Sequence, residues 1–95
     1  MLIALLKFSA QKAHAADHMD GHKKWIKQGF DDGVFLLAGS LQPGLGGGIM
    51  AHGISREGFE ARLTEDPFVK ADVVTTEVLE IDASMTDERL AFLRG

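Results

Sequence analysis

The hydrophobic and polar positions of this chain change period several times, and the clearest change is an amphipathic helix that leads into a buried strand. Ile26 and Phe30 lie four and eight residues after His22, so the three share one helical face, while the lysines between them fall on other faces. The spacing predicts a helix from about His22 to Gln28 or Phe30, with Asp20 as its N-cap. His22 is therefore expected near a helix start, partly desolvated by the apolar stripe.

Four segments are rich in apolar or β-branched residues and predict β-strands. In order, they are Leu2–Phe8, Val34–Ala38, Ile49–Ile54 and Val73–Ile81. The first two carry apolar residues on both parities, which is typical of strands covered on both faces. In the last, Val74 and Val78 share one parity while Leu79 falls on the other. Both faces of the resulting sheet are therefore expected to be apolar.

A second helix is predicted over Arg56–Glu65, with Ser55 as its N-cap. Asp66-Pro67 should end it, because proline disfavours helical geometry in the residue before it. The glycine-rich segment Gly39–Gly48 predicts a flexible loop or hairpin connection. These signals separate the second strand from the third and the third from the fourth.

The two ends of the chain carry weaker signals. Residues 9–21 are small and polar, and they predict a loop with a helical turn. Ser84 or Thr86 is a suitable cap for a short final helix, with Leu90 and Leu93 facing inward. Neither end contributes a predicted strand beyond the four above.

The order of elements, β-α-β-β-α-β, predicts an α+β, ferredoxin-like fold with a four-stranded antiparallel sheet, formed by residues 1–95 as one domain. Two short helices can cover one face of such a sheet. The other face is apolar as well, and leaving it wet would forgo several kcal/mol at roughly 25 cal/mol per Å². We therefore predict a homodimer, packed sheet to sheet as a dimeric α+β barrel.

Composition narrows the function classes. With no cysteine, the chain cannot use a disulfide, a thiol nucleophile or a thiolate metal site, which suits a reducing cytoplasm. A net charge of −4 argues against a nucleic-acid partner, and the basic cluster Lys23, Lys24 and Lys27 fits a solvated helix face. The apolar start MLIALLKF is too short to span a bilayer and is expected to form a strand, so we predict no membrane partner.

The best candidate for chemistry is a pair formed by His22 and Asp66. In the predicted topology both helices share one sheet face, and Asp66 follows the second. A carboxylate that binds one imidazole nitrogen fixes the tautomer, so the other nitrogen can take or give a proton. The alternative, which periodicity alone favours, is that Asp66 only caps the turn before Pro67 and that His22 is a satisfied helix-terminal residue.

Two metal or nucleotide interpretations are weaker. His14, His18 and His22 recur every four residues and would form a metal-binding ladder on a continuous helix, but Asp20 is expected to interrupt it. The glycines of Gly44–Gly48 precede a strand instead of opening a helix, so a phosphate loop is not expected. We predict no metal and no cofactor, and a mobile hairpin or lid over the site at Gly44–Gly48.

Other side chains are candidates for contact with a small-molecule ligand. Ser40 follows the second strand and His52 lies within the third, and both are expected at a polar rim of the site. A nucleophilic Ser-His pair is formally possible, but the spacing supports no oxyanion hole. Phe68 is a further candidate contact, although Trp25 and Phe68 are more often core residues.

Taken as a set, these elements resemble the YciI-like (YCII-related) family over roughly residues 1–82. The residues that carry the resemblance are His22, Gly33, Ala38-Gly39, the glycine-rich segment, Ser55 with its helix, and Asp66-Pro67-Phe68. The chain departs from the family pattern in two places. It has Gly39-Ser40 where Gly-Pro is common, and Asp20-Gly21 where an Arg-Pro-like sequence is usual.

The resemblance implies a dimeric α+β barrel with a His-Asp dyad at positions 22 and 66. It also implies chemistry such as that of a dehydrochlorinase of a chlorinated hydroxyhydroquinone, and the fold is shared with muconolactone isomerase. We therefore predict a cofactor-independent isomerase or lyase acting on a small aromatic or enolisable molecule. The alternative is a non-catalytic dimer that binds a metabolite or has a regulatory role.

Overall fold

The computed structural model describes residues 1–94 of the chain and shows a sheet with helices on one side. The strands are β1 (Leu2–Phe8), β2 (Phe35–Leu41), β3 (Gly46–Ala51) and β4 (Val74–Glu80). The helices are α1 (Ala15–Asp31), α2 (Arg56–Leu63) and α3 (Pro67–Lys70), and short 3₁₀ helices cover Lys12–His14 and Glu88–Leu93. No helix in this part of the chain is long and apolar enough to cross a membrane.

The four strands form one antiparallel sheet in the order β2-β3-β1-β4. This is the predicted α+β, ferredoxin-like arrangement, and the fold class is confirmed. β1 and β3 are central, while β2 and β4 form the two edges. Helix α1 connects β1 to β2, and α2 and α3 together connect β3 to β4.

The core lies between the helices and one face of the sheet. Leu2, Ala4 and Leu6 of β1 point into it, and none of them is more than 3% exposed. Trp25 of α1 and Phe59 of α2 pack in the same cluster. Alternate residues are therefore removed from water in β1 and at the end of β3, whereas each edge strand buries one residue, Phe35 in β2 and Val74 in β4.

The opposite face of the sheet is apolar over one half, as the pattern of both parities predicted, but its other half carries Lys7, Thr75 and Glu77, with Nζ of Lys7 4.0 Å from Oε1 of Glu77. The register aligns Leu79, Ile3 and Met50 across three strands, with Leu37 beside Met50 on the fourth. Leu37 is 53% exposed and Leu79 is 43% exposed. We call this surface the open sheet face.

The C-terminal segment covers only part of the open sheet face. Leu90 and Leu93 line a cleft of about 600 Å³ together with Leu37 and Met50. Leu93 is half-buried, but Leu90 remains exposed. The inward orientation predicted for these two leucines is therefore only partly correct.

Helix α1 begins at Ala15, well before the predicted start at His22, and much of the loop predicted for residues 9–21 is helical. Asp20 lies inside the helix, so it is not the N-cap. The polar composition of this segment hid the helix, although alanine is the best helix former and Met19 packs against the core. His22 consequently lies near the middle of a 17-residue helix.

Much of the glycine-rich segment is strand. β2 continues to Leu41 and β3 begins at Gly46, so only residues 42–45 connect them. Gly46 has a φ of +138°, and a Cβ there would overlap the carbonyl oxygen of Leu6. Glycine is therefore required for this approach of β3 to β1. Of the hairpin or lid predicted over Gly44–Gly48, the structure has the hairpin and not the lid, because Gly46, Gly47 and Gly48 are paired on both sides.

Other predicted boundaries differ by a few residues. α2 ends at Leu63, and β3 ends at Ala51, which leaves His52 outside the strand. The last 3₁₀ helix follows Asp87, whose Oδ1 accepts a hydrogen bond from the N–H of Arg89 at 2.9 Å. The two N-caps predicted for that helix are therefore wrong: Ser84 and Thr86. The N-cap predicted for α2 is confirmed, since Ser55 Oγ accepts from a backbone N–H at 3.0 Å.

Gly29 brings the end of α1 against β2. It is buried, and a Cβ on it would overlap the ring of Phe35. The ring of Phe35 in turn packs edge-on against Trp25, with centroids 5.3 Å apart. The distance between α1 and the sheet is thus set by a helical glycine that faces an aromatic ring.

We expect Gly29→Ala to destabilise the protein by about 1–3 kcal/mol, because the added methyl group overpacks the core. The direction of the stability change is informative, because replacing glycine by alanine inside a helix usually stabilises the helix by up to about 1 kcal/mol. Adding Phe35→Leu should reduce the penalty of Gly29→Ala, because the smaller side chain leaves room. Urea unfolding of the two single variants and the double variant measures this coupling. Additive effects, or a stabilised Gly29→Ala protein, would contradict the contact.

Candidate active site

Helix α1 presents His22 at the point where it meets α3. Gly21 permits the two elements to approach, since a Cβ on it would lie 3.1 Å from Cγ of Pro67. The side chain of His22 is 14% exposed. A histidine in the middle of a helix is thus largely withdrawn from water by its neighbours on α3.

The carboxylate of Asp66 holds this histidine in place. Asp66 is fully buried and is the N-cap of α3, where its Oδ1 accepts a hydrogen bond from the N–H of Phe68 at 3.0 Å. The same oxygen lies 2.7 Å from Nδ1 of His22. Because an ionised carboxylate only accepts, it fixes the proton of the neutral ring on Nδ1 and leaves Nε2 free. Asp66 therefore both caps a helix and orients an imidazole.

The second carboxylate oxygen of Asp66, Oδ2, is buried and has no hydrogen-bond partner among residues 1–94. An unsatisfied buried oxygen costs stability. Positive charge on the His22 ring offsets part of that cost, because the two groups form an ion pair when the ring is protonated. Asp66 is therefore placed as the counter-ion of the ring whenever His22 is protonated.

Aromatic packing holds the imidazole ring from the side. The ring of Phe68 stacks on the ring of His22, with centroids 3.9 Å apart and planes inclined by 4°. Trp25, one turn along α1, lies at 6.1 Å from His22 with its ring inclined by 26°. The hydrogen bond to Asp66 and this stack together restrict both the tilt and the rotation of the imidazole.

A cavity of about 400 Å³ opens at the His22 ring, between α1 and the sheet, and we call it the His22 cavity. Most of its walls are apolar: Leu6, Phe8, Met19, Ile26, Phe30, Ala38, Phe68 and Val74. The polar side chains that line it are His22, Lys23 and Ser40, and none of the described lining residues is acidic. Apolar walls with a few convergent polar groups are typical of sites for small organic molecules.

The floor of the His22 cavity is glycine backbone. The register places Gly47 across from Leu6 on one side and Ser40 on the other, so its missing side chain would point into the cavity. A Cβ on Gly47 would meet only the carbonyl oxygen of Gly39, at 3.4 Å. The strand therefore tolerates a side chain here, but the cavity does not retain its volume with one.

The structure brings four of the predicted site residues together. His22, Asp66 and Phe68 contact one another, and Ser40 lines the same cavity from β2. The sequence predicts Ser40 after the second strand. The structure places it within β2, which extends to Leu41. The cavity also contains residues that sequence reasoning did not select, such as Lys23 and Gly47. The basic cluster predicted a solvated helix face for Lys23, which is exposed but also lines the cavity, and the glycine-rich pattern predicted a loop at Gly47, where the structure has strand.

His52 lies elsewhere. It follows the end of β3, five residues beyond Gly47, which is about 16 Å at the usual rise of a strand. Its ring packs edge-on against the ring of Phe92 in the C-terminal segment, with centroids 5.0 Å apart. His52 is therefore outside the His22 cavity, and we do not include it in the candidate site.

The break predicted between the three histidines of α1 does not exist, because the helix is continuous across Asp20. His18 and His22 lie one turn apart on it, with His14 at its N-terminal end. Nδ1 of His22 is nevertheless engaged by Asp66. Across the described range 1–94, no group of three or more histidine, cysteine or acidic residues is placed to hold a metal ion.

Comparison with known proteins identifies a solved structure with the same fold but no matching family. No protein-family model matches the sequence, and no curated protein matches it significantly. Among solved structures, the chain is similar to 5-chloro-2-hydroxyhydroquinone dehydrochlorinase from Burkholderia phenoliruptrix in complex with 2,5-dihydroxybenzoquinone. The TM-score is 0.69 at 15% sequence identity, and the match covers 86% of this chain and 94% of that chain. At this identity the likeness shows the shared fold alone, so membership of the YciI-like family stays a prediction.

We expect Gly47→Val to fill the His22 cavity and to abolish binding of a small aromatic probe such as phenol. The matched control is Gly48→Val, because a Cβ on Gly48 would be in ordinary contact with Leu41 on the open sheet face. Phenol titration followed by NMR should shift the resonances of His22 and Phe68 in the wild type and in the control. Equal shifts in Gly47→Val, with its fold intact by circular dichroism, would show that the cavity is not the binding site.

Proposed function

We propose that this protein is a small-molecule enzyme that transfers a proton within its substrate by using His22 and Asp66. The result of the reaction would be isomerisation or elimination, and the proposed steps need no cofactor. The observation that carries the proposal is the 2.7 Å contact between Nδ1 of a shielded imidazole and a fully buried carboxylate, at the wall of an apolar cavity.

In the proposed reaction, Nε2 of His22 accepts a proton from an acidic O–H or C–H group of the bound molecule. The electron pair stays on the substrate as an enolate or phenolate. For isomerisation, the imidazolium returns the proton to another carbon. For elimination, it gives the proton to the ring carbon that carries chlorine, which becomes a saturated carbon beside a ketone; Nε2 then takes a second O–H proton of the substrate, and chloride departs with the C–Cl electron pair. That second proton passes from His22 to solvent, so the net loss is HCl. Asp66 stabilises the imidazolium between the two steps. A well-placed general base of this kind contributes about 10²- to 10⁴-fold in rate.

The structural neighbour supports the proposed class of substrate. Its name describes removal of chloride from a hydroxylated aromatic ring, and its complex contains a benzoquinone. A ring of that size fits a cavity of about 400 Å³. For this chain we propose an aromatic or enolisable substrate of similar size, packed beside Phe68 with Ser40 as a polar contact. A YciI-like enzyme would have these properties.

We also propose that the protein acts as a homodimer that buries the open sheet face. The face carries Leu37 and Leu79, both of which are at least 43% exposed in one chain. A monomeric soluble protein rarely leaves an apolar patch of this kind in water. A second copy covers the same residues symmetrically, as an isologous interface requires.

We expect His22→Gln to lower turnover by at least about 10²-fold, because the amide can still donate to Asp66 but cannot act as a base at the second position. His18→Gln, one turn earlier on α1 and outside the cavity lining, is the matched control. Asp66→Asn should also lower turnover, since the imidazolium loses its counter-charge. Chloride release and absorbance changes over a panel of chlorinated hydroquinones, catechols and lactones measure the rates.

The outcomes separate the two functional classes. Activity in His22→Gln equal to that of the wild type would contradict the proposed chemistry. Wild-type protein that binds members of the panel through the His22 cavity, yet converts none of them, would favour the alternative of a metabolite-binding or regulatory module. Far-ultraviolet circular dichroism of every variant shows whether a loss of rate reflects a loss of fold.

The dimer is tested by Leu79→Glu, which places a charge on the open sheet face. We expect the wild type to have twice the chain mass in light scattering at micromolar concentration, and Leu79→Glu to dissociate. Ala61→Glu, which adds the same charge to the exposed side of α2, should remain dimeric. A wild-type protein that is monomeric under these conditions would contradict the proposal.

A further inference from the structure

The described groups that line the His22 cavity can carry positive charge but not negative charge. Its ionisable side chains are His22 and Lys23, and Asp66 lies behind the histidine without reaching the lining. A second cation is close by, because Nζ of Lys12 lies 5.0 Å from the centroid of Phe8, itself a wall residue. The ionisable side chains that a ligand in the cavity can reach directly are therefore suited to pair with an anion.

Lys23 differs from the other lysines of α1. Lys27 is committed to an ion pair, with its Nζ 2.7 Å from Oδ2 of Asp31. Lys23 and Lys24 are both exposed, but only Lys23 lines the cavity. Within the described part of the chain, Lys23 forms no ion pair, and it lies directly beside His22 in sequence. Its ammonium group is thus free to bind a ligand at the cavity.

The walls make such a contact selective. Apolar surroundings make an unpaired anion unfavourable, and they strengthen the attraction between an anion and a cationic partner. Lysine suits this position because it places a compact charge at the end of a flexible stem, and the stem can lie along apolar surface. A neutral ligand could gain only a hydrogen bond from the ammonium group, whereas an ionised oxygen would also gain the attraction between opposite charges.

We infer that Lys23 binds an ionised oxygen of the ligand, so that the His22 cavity selects small anionic molecules such as phenolates, enolates and hydroxyquinones. The inference rests on the proposed function and adds a residue to it. When Nε2 of His22 takes a proton from the substrate, the electron pair that remains ends on an oxygen. Lys23 then faces that oxygen while Asp66 faces the imidazolium.

The test compares an anionic and a neutral ring of nearly the same size. The probes are 2,5-dihydroxybenzoquinone, whose hydroxyl groups are ionised at neutral pH, and hydroquinone, which is neutral. Calorimetric titration of each probe into wild type, Lys23→Met and Lys24→Met gives the dissociation constants. Lys23→Met keeps the length of the stem and removes the charge, and Lys24→Met is the matched control.

We expect Lys23→Met to weaken binding of the anionic probe about 5- to 30-fold and to leave binding of hydroquinone unchanged. Lys24→Met should bind both probes as the wild type does, and Lys23→Arg should retain the preference for the anion. Added salt should weaken binding of the anionic probe to the wild type more than to Lys23→Met, because screening acts on the charge that was removed.

The results distinguish two failures. If the wild type binds both probes and His22→Gln lowers turnover, but Lys23→Met binds both as the wild type does, the inference about Lys23 is wrong and the proposed function stands. Equally weaker binding of both probes to Lys23→Met would also overturn the inference, because it would indicate that the substitution changed the shape of the cavity and not only its charge. If the wild type binds neither probe, the inference and the proposed substrate class fail together.

Discussion

The arrangement of this protein depends on one buried carboxylate oxygen that serves two elements. Oδ1 of Asp66 accepts from the backbone of α3 and from the ring of His22 on α1. Because Asp66 has no exposed surface, either helix element can shift only by leaving part of a buried charge unpaired. Breaking a buried pair in this way costs about 3–5 kcal/mol. The same contact therefore fixes where α1 meets α3 and which imidazole nitrogen faces the cavity.

Missing side chains create the space that this contact faces. Gly21 and Gly29 let α1 approach Pro67 and Phe35, and Gly47 leaves the floor of the cavity bare. Had larger residues stood at the two helical positions, α1 would lie farther from the sheet and His22 farther from Asp66. The close helix and the empty floor are complementary, since the first brings the imidazole near the sheet and the second keeps the sheet from filling the space.

The sequence was sufficient for the order of elements, which follows from strong periodicity and from a topology with few alternatives. Periodicity alone favoured structural roles for residues 22 and 66, and their pairing was expected from the resemblance to the YciI-like family. Asp66-Pro67 begins α3 and does not end α2, which stops at Leu63. The start of α1 was missed because a polar segment, residues 9–21, is held helical by packing that local composition does not show. The glycines of β3 were assigned to a loop because no propensity scale records that Gly46 must pass close to Leu6. His52 was expected within the third strand, which was predicted to extend to Ile54, whereas β3 ends at Ala51.

The glycines that keep the cavity floor bare lower the stability of the strand that they form. Gly46, Gly47 and Gly48 follow one another in β3, which alone joins the edge strand β2 to the rest of the sheet. Each glycine gives up more backbone entropy on folding than any other residue, roughly 0.5–1 kcal/mol relative to alanine. An empty cavity floor is therefore obtained at the expense of the stability of the strand that joins β2 to the sheet.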